Sequence, residues 1–191
     1  MGPARLIDFD GIYEEFQPKI HRYLCNLAGV EEALDLTQTV FLKVSRSLDS
    51  FRGDSSLSTW IYRIATNTAH DHASSSLVRQ KVAEQLLDDN TSVDDFPDSS
   101  YQGTDREYIR REMTDCIRGL VNQLPENHRT VLLLSEFEEI TNAEIAAILD
   151  ISLDTVKIRL YRARAGLRKA MECQCSLYHD ERSELMCDRK P

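Results

Sequence analysis

Apolar positions recur at helical spacing along most of this 191-residue chain, and strand-like alternation is absent. A first helix is expected over Asp8 to Ala28. A second is expected from Glu31 to about Leu48, with Ala33, Leu36, Val40, Phe41, Val44 and Leu48 on a common face. A third follows within the string FRGDSSLSTWIYRIATN at 51–67. There Leu57, Trp60, Ile61, Ile64, Ala65 and Thr68 fall on one face, and Tyr62, Arg63, Asn67 and His70 fall on or beside the opposite one. It is expected to fade near Ser74–Ser76. Periodicity is lost over 84–103, where Asp, Ser, Thr, Gly and Pro97 collect as in a flexible linker.

A second module begins near Thr104, with Ile109, Met113, Ile117 and Leu120 marking its first helix. Pro125 suits the first turn of the next helix, where its missing N–H costs nothing. That helix carries Val131, Leu132, Leu134 and Ser135 toward Phe137. Thr141 and Glu144 stand at capping-box spacing and start a short helix through Leu149. Asp150-Ile151-Ser152 makes a turn, and Ser152 can cap the helix that begins at Leu153. Two short helices joined by three residues, the second strongly basic, spell a helix-turn-helix. Leu153, Val156, Leu160, Ala163 and Leu167 form the expected buried stripe of the last helix. Between Ser152 and Ala170, six cations (Lys157, Arg159, Arg162, Arg164, Arg168 and Lys169) face one acid, Asp154. In a major groove such a helix gains phosphate contacts along its sides and base contacts near its N-terminus. Thr155, Lys157 and Arg159 are placed for base edges, and Arg159 can pair bidentately with guanine. A solvated cationic face is the bland alternative.

The net charge of −9 argues against a nucleic-acid binder until its distribution is read. Residues 84–107 hold eight acidic residues and one basic one, a charge of −7, which leaves −2 for everything else. The net acidity is concentrated in and beside the linker and does not coat the candidate DNA surfaces. No apolar run approaches the ~20 residues that a membrane span needs. The N-terminus MGPARLIDFDGIYEEF lacks a signal-peptide core, so a cytoplasmic protein without membrane insertion is expected. The fold class expected is all-α: two small helical domains joined by a flexible acidic linker, followed by a short Cys-rich tail.

The string at 51–67 closely resembles the promoter-melting and −10-reading segment of bacterial ECF (extracytoplasmic-function) sigma factors. EEALDLTQTVFLKVSRSLDSF resembles their region 2, and LPENHRTVLLLSEFEEITNAEIAAILDISLDTVKIRLYRARAGLRKAM resembles the −35-binding region 4. The resemblance implies region 2 over 1–80, a linker over 81–103, region 4 over 104–171 and a tail over 172–191. It implies a non-catalytic factor that gives RNA polymerase core its promoter choice. Asp35, Gln38, Thr39 and Phe41 match positions that dock on the clamp helices of the polymerase. Thr39 departs from the usual acidic residue, and Phe41 shares the apolar stripe of Val40 and Val44. Arg52, Gly53, Asp54, Ser55 and Ser56 match the loop that captures a flipped −10 base, with Asn67 on a base edge and Arg63 on a phosphate. Trp60 is in phase with the core, though a stacking role stays open. Ser152, Thr155, Lys157, Arg159 and Arg162 match the −35 reader. Asp150 and Asp154 stand where the family commonly has Gly. Asp tolerates a left-handed turn. Asp154 suits the helix dipole, repels phosphates and can accept from a cytosine amino group. Many family members are held inactive by an anti-sigma factor.

Two other readings compete. A stand-alone helix-turn-helix regulator would bind duplex DNA without polymerase. The His70-Asp71 dyad, with His21 and His72 as further ligands, is the pattern of a metal-dependent phosphohydrolase. No Gly-rich phosphate loop or nucleophile elbow accompanies it.

Cys25 and Cys116 sit in helices as small core side chains. Cys173, Cys175 and Cys187 lie in the tail with no core to join. With His179 they can supply soft ligands to Zn(II) or Cu(I), an arrangement similar to the metal-sensing tails of some ECF sigma factors. A redox switch and idle thiols are the alternatives. The sigma activity itself calls for no cofactor.

Overall fold

The computed structural model describes residues 8–84, 105–179 and 185–189. Among the described residues the chain forms seven α-helices: α1 (Phe9–Ala28), α2 (Val30–Ser47), α3 (Leu57–Glu84), α4 (Asp105–Asn122), α5 (Glu126–Leu132), α6 (Asn142–Leu149) and α7 (Leu153–Gln174). Asp8 caps α1 by accepting from the Asp10 backbone N–H. Gly29, at φ 101°, makes the reversal into α2 that a residue with a Cβ would resist.

The amphipathic stripes pack as their spacing requires. Ile12, Phe16, Ile20, Tyr23, Leu24 and Leu27 of α1 are buried against Ala33, Leu36, Val40, Phe41 and Val44 of α2. Ile61 and Ala65 of α3 close this first module. α3 runs on to Glu84, past the fading expected near Ser74–Ser76. The second module packs α5 and α6 on α7 around Val131, Leu134, Ile145, Ile148, Val156 and Leu160. The expected acidic linker, 81–103, falls largely outside the described residues.

Other sequence expectations change as well. Pro125 is the residue just before α5, with φ −51° and ψ 138°, not part of its first turn. The helix toward Phe137 becomes a π-helical turn at Leu133–Phe137, followed by Glu139 at φ 54°. Leu153 is 42% exposed and stands outside the buried stripe of α7 that Val156, Leu160 and Ala163 form. The tail, expected without strands, forms an antiparallel hairpin of β1 (Cys175–His179) and β2 (Leu185–Arg189) that packs on α7 and α4. Cys175 is thereby buried, contrary to a tail with no core to join.

Candidate nucleic-acid interface

The helix-turn-helix is set by local bonds that its sequence announces. The Thr141 hydroxyl accepts from the Glu144 N–H at 3.3 Å, and the Glu144 carboxylate accepts from the Thr141 N–H at 3.1 Å. Bonds from Thr141 hold the Glu144 carboxyl below its ordinary range. Asp150 ends α6 in the left-handed conformation, φ 52° and ψ 48°. The Ser152 hydroxyl then accepts from the Thr155 N–H at 3.1 Å and starts α7.

On α7, Val156, Leu160 and Ala163 are buried. Lys157 and Arg162 are exposed, Thr155 and Arg159 half-buried, and Ser152 exposed at the tip. Asp154 lies 3.9 Å from Lys157 and tempers the charge of the first turn. Two large apolar side chains missed by the sequence reading also face outward: Ile158 at 51% exposure and Tyr161 at 75%. Their phase opposite Val156 and Leu160 was the available signal. Tyr161, Lys157, Arg164 and Arg168 line an open groove of about 460 Å³ beside α7. Arg164 is anchored there by Glu136 at 3.1 Å.

The loop before α3 is open. Arg52, Gly53 and Asp54 are exposed, Ser55 is half-buried, and Gly53 turns the chain at φ 76°. The Ser56 hydroxyl accepts from the Thr59 N–H at 3.1 Å and caps α3. Asn67 is exposed. Trp60 is partly buried and packs on Phe51 at 5.0 Å between ring centroids, on the core side.

Tyr62 corrects the expected polar face. It is buried, with its ring edge-on to Tyr23 at 5.4 Å and its hydroxyl donating to Glu138 at 2.6 Å. Burial, and then Glu138, push its phenol well above the ordinary tyrosine range. The covering group comes from the second module. Arg22 of α1 donates to both oxygens of Glu138, at 2.9 and 3.3 Å. The Arg63 guanidinium donates to the Ala147 carbonyl of α6, with Nε at 3.0 Å, and Thr59 donates to Glu144 at 3.5 Å.

α2 presents a second outward surface. Asp35, Gln38 and Thr39 are exposed, whereas Phe41 is 3% exposed and belongs to the core. Val30, Leu34 and Leu42 are 74%, 55% and 58% exposed and align with Gln38 at four-residue steps, an apolar row that the sequence reading passed over.

The histidines of the phosphohydrolase reading disperse. His21 faces Thr37, His72 pairs with Glu32 at 3.3 Å, Asp71 lies 4.0 Å from Lys43, and His70 Nε2 is 3.5 Å from Glu126 without hydrogen-bond geometry. In the tail, Cys173 is exposed on α7 and Cys187 is half-buried. The hairpin register pairs Cys175 with Arg189, Leu177 with Cys187 and His179 with Leu185. Cys175 and His179 therefore stand at opposite ends of β1, about 13 Å apart at the usual strand rise. A zinc ion takes its ligands at about 2.0–2.3 Å, so this register does not fit one ion bound by both. Among the described residues no cluster of three or more His, Cys, Asp or Glu is poised around a metal. No described helix is long and apolar enough to cross a membrane.

Comparison with known proteins matches these two modules in order. Residues 12–76 match sigma-70 region 2, and residues 114–167 match sigma-70 region 4. The chain is 33% identical over 166 residues to the RNA polymerase sigma-H factor of Pseudomonas aeruginosa, covering 86% of both chains. It is 31% identical over 170 residues to the ECF RNA polymerase sigma factor SigW of Bacillus subtilis, covering 85% of this chain and 88% of that one. Its fold is similar to that of the sigma factor RpoE solved with the anti-sigma factor NepR from Bartonella quintana. That match has a TM-score of 0.67 and 20% identity, over 86% of this chain and 97% of that one. CnrH, solved with the cytosolic domain of CnrY, matches with a TM-score of 0.60 and 20% identity over 86% and 88%. With both sigma regions present in order and relatives above 30% identity along most of its length, the chain belongs to the ECF family of RNA polymerase sigma factors.

Proposed function

We propose that this chain, a non-enzymatic transcription initiation factor by family, binds RNA polymerase core and reads promoters at two sites. Residues 1–80 act as region 2 and 104–171 as region 4. Asp35, Gln38 and Thr39, with the exposed row Val30, Leu34 and Leu42, form the polymerase face on the clamp helices. A contiguous apolar row rimmed by polar groups is what a docking helix offers. Arg52–Ser56, Arg63 and Asn67 take the −10 strand. Ser152, Thr155, Lys157, Arg159 and Arg162 take the −35 duplex.

One observation carries the reading: a capped, bare cationic recognition helix shares the chain with a separate module whose loop and α2 face are open. A stand-alone helix-turn-helix regulator needs no such second module. The test is run-off transcription with purified core. The chain should direct initiation once core is added and bind promoter duplex poorly alone. Tight, sequence-specific duplex binding without core would sink the proposal. An anti-sigma factor is the natural second partner, since the RpoE whose fold this chain resembles was solved with the anti-sigma factor NepR.

The tail is the candidate for regulation by soft metal or redox state. Cys173 is exposed in the last turn of the recognition helix, and Cys175 and Cys187 lie in the hairpin that follows it. Because the hairpin register does not suit one ion, such a response would have to remodel β1 and β2. Transcription with Zn(II), Cu(I) or reductant should then differ between wild type and a Cys173/Cys175/Cys187→Ser variant. Equal activity throughout would remove the sensing role.

A further inference from the structure

We infer that Glu138 is a latch that holds the free chain closed, with region 4 laid over the Arg63 edge of the −10 reader. This inference rests on the two-site reading above. Glu138 comes from region 4, yet its side chain is 1% exposed and both hydrogen-bonding partners found for it belong to region 2. Arg22 grips both of its oxygens, and Tyr62 donates to Oε2 at 2.6 Å. A carboxylate so enclosed is held by charge-assisted bonds that are stronger than neutral ones.

The backbone around Glu138 is irregular where it makes this contact. A π-helical turn over Leu133–Phe137 interrupts the helix, and Glu139 takes φ 54° without being glycine. π turns concentrate at functional positions, and a non-glycine residue at positive φ persists only where its surroundings enforce it. Without these two departures the chain would continue helically past Phe137, and Glu138 would not be re-aimed in this way.

Closure has a direct consequence for the −10 reader. Arg63 Nε and Nη2 both donate to the Ala147 carbonyl, so they are not available to a phosphate. Thr59, at the mouth of the capture loop, donates to Glu144 of region 4. The outer face of α7 and the apolar row of α2 stay exposed in the same arrangement. The closed chain therefore leaves the surfaces for first encounter bare and withholds part of the strand-binding surface. A partner that binds only the open form shifts the equilibrium by its differential affinity.

The test uses the full chain with Arg22→Ala and Glu138→Ala, compared with wild type by small-angle scattering and by core-dependent initiation at subsaturating protein. Arg22 is 56% exposed, so its truncation leaves the module folded while it unpairs the latch. Each variant should raise the ratio of open to closed chain about five-fold or more, within the usual range for coupled sites. The radius of gyration should rise, and so should initiation. Unchanged scattering in both variants overturns the latch. A chain that opens but initiates no better overturns its inhibitory role. Failure of all three proteins to initiate with core would overturn the two-site reading instead, while scattering still judges the latch.

Discussion

The Tyr62 hydroxyl donates to Glu138 at 2.6 Å across 76 residues of chain, joining the face of α3 to the loop that follows α5. Tyr62→Phe keeps the edge-on contact with Tyr23 and removes only this bond. A buried carboxylate left one donor short costs about 1–3 kcal/mol. Urea unfolding of the variant should show that loss. The sign with pH follows from the raised phenol pKa. The contribution is full below the unfolded tyrosine value of about 10 and is lost as pH rises through the folded value. The gap between wild type and Tyr62→Phe should therefore hold from pH 6 to 9 and close only in strong alkali. A gap that closes near neutrality would mean that another group governs the contact.

The capping box at Thr141 is open to a similar measurement. Thr141→Ala deletes the acceptor for the Glu144 N–H, and a lost N-cap costs about 1 kcal/mol. The Glu144 carboxyl sits below its ordinary range because of Thr141, so its contribution is present above the unfolded glutamate value of about 4.3. It fades as pH falls through the folded value. Acidification should narrow the difference between wild type and Thr141→Ala in urea melts. A difference that widens on acidification would contradict the cause assigned to the shift.

The helices and caps were legible in the sequence because their determinants are local. Ser152, Thr141 and Asp150 act on neighbours within four residues, and the α2 stripe needs only its own spacing. What sequence periodicity misplaced depends on partners far along the chain. Tyr62 lies outside the apolar phase of α3, and its burial rests on Tyr23 of α1 and on Glu138 from the other module. Leu153 is in phase with the α7 core, yet as the first residue of the helix it stays 42% exposed. The hairpin escaped notice because its strands are five residues each and stand free of any larger sheet. Region 4 candidates gained Ile158 and Tyr161 for the opposite reason: they are apolar side chains on a face that charge alone had defined.

Asp150 occupies a left-handed position where glycine would be unstrained. Asp150→Gly should therefore leave the melting temperature nearly unchanged, since relief of the left-handed strain offsets the added freedom of the unfolded chain. Asp150→Val places a β-branched side chain there and should cost about 1–2 kcal/mol, the scale of the left-handed penalty. Thermal melts of the three proteins test the order. An Asp150→Val protein as stable as wild type would show that the turn relaxes out of the left-handed region.

The recognition helix separates affinity from specificity by position. Lys157, placed by its spacing for a base edge, is exposed on α7, where its flexible point charge suits a phosphate instead, so Lys157→Ala should weaken promoter binding by the core complex about equally on all −35 sequences. It should also lower the salt slope by about 1. Arg159 is half-buried beside the tip, where its side chain is better restrained for a base edge. Arg159→Ala should cost about 1–3 kcal/mol and relax preference at one base pair. Ile158 points straight outward and offers only an apolar surface, which suits a thymine methyl group. Ile158→Ala should then weaken binding at a thymine-containing site and leave the same site with uracil at that position unaffected. Initiation from a panel of single-base −35 variants, repeated across salt concentrations, reads all three effects. If Lys157→Ala altered base preference while Arg159→Ala altered only the salt slope, the two roles would have to be exchanged.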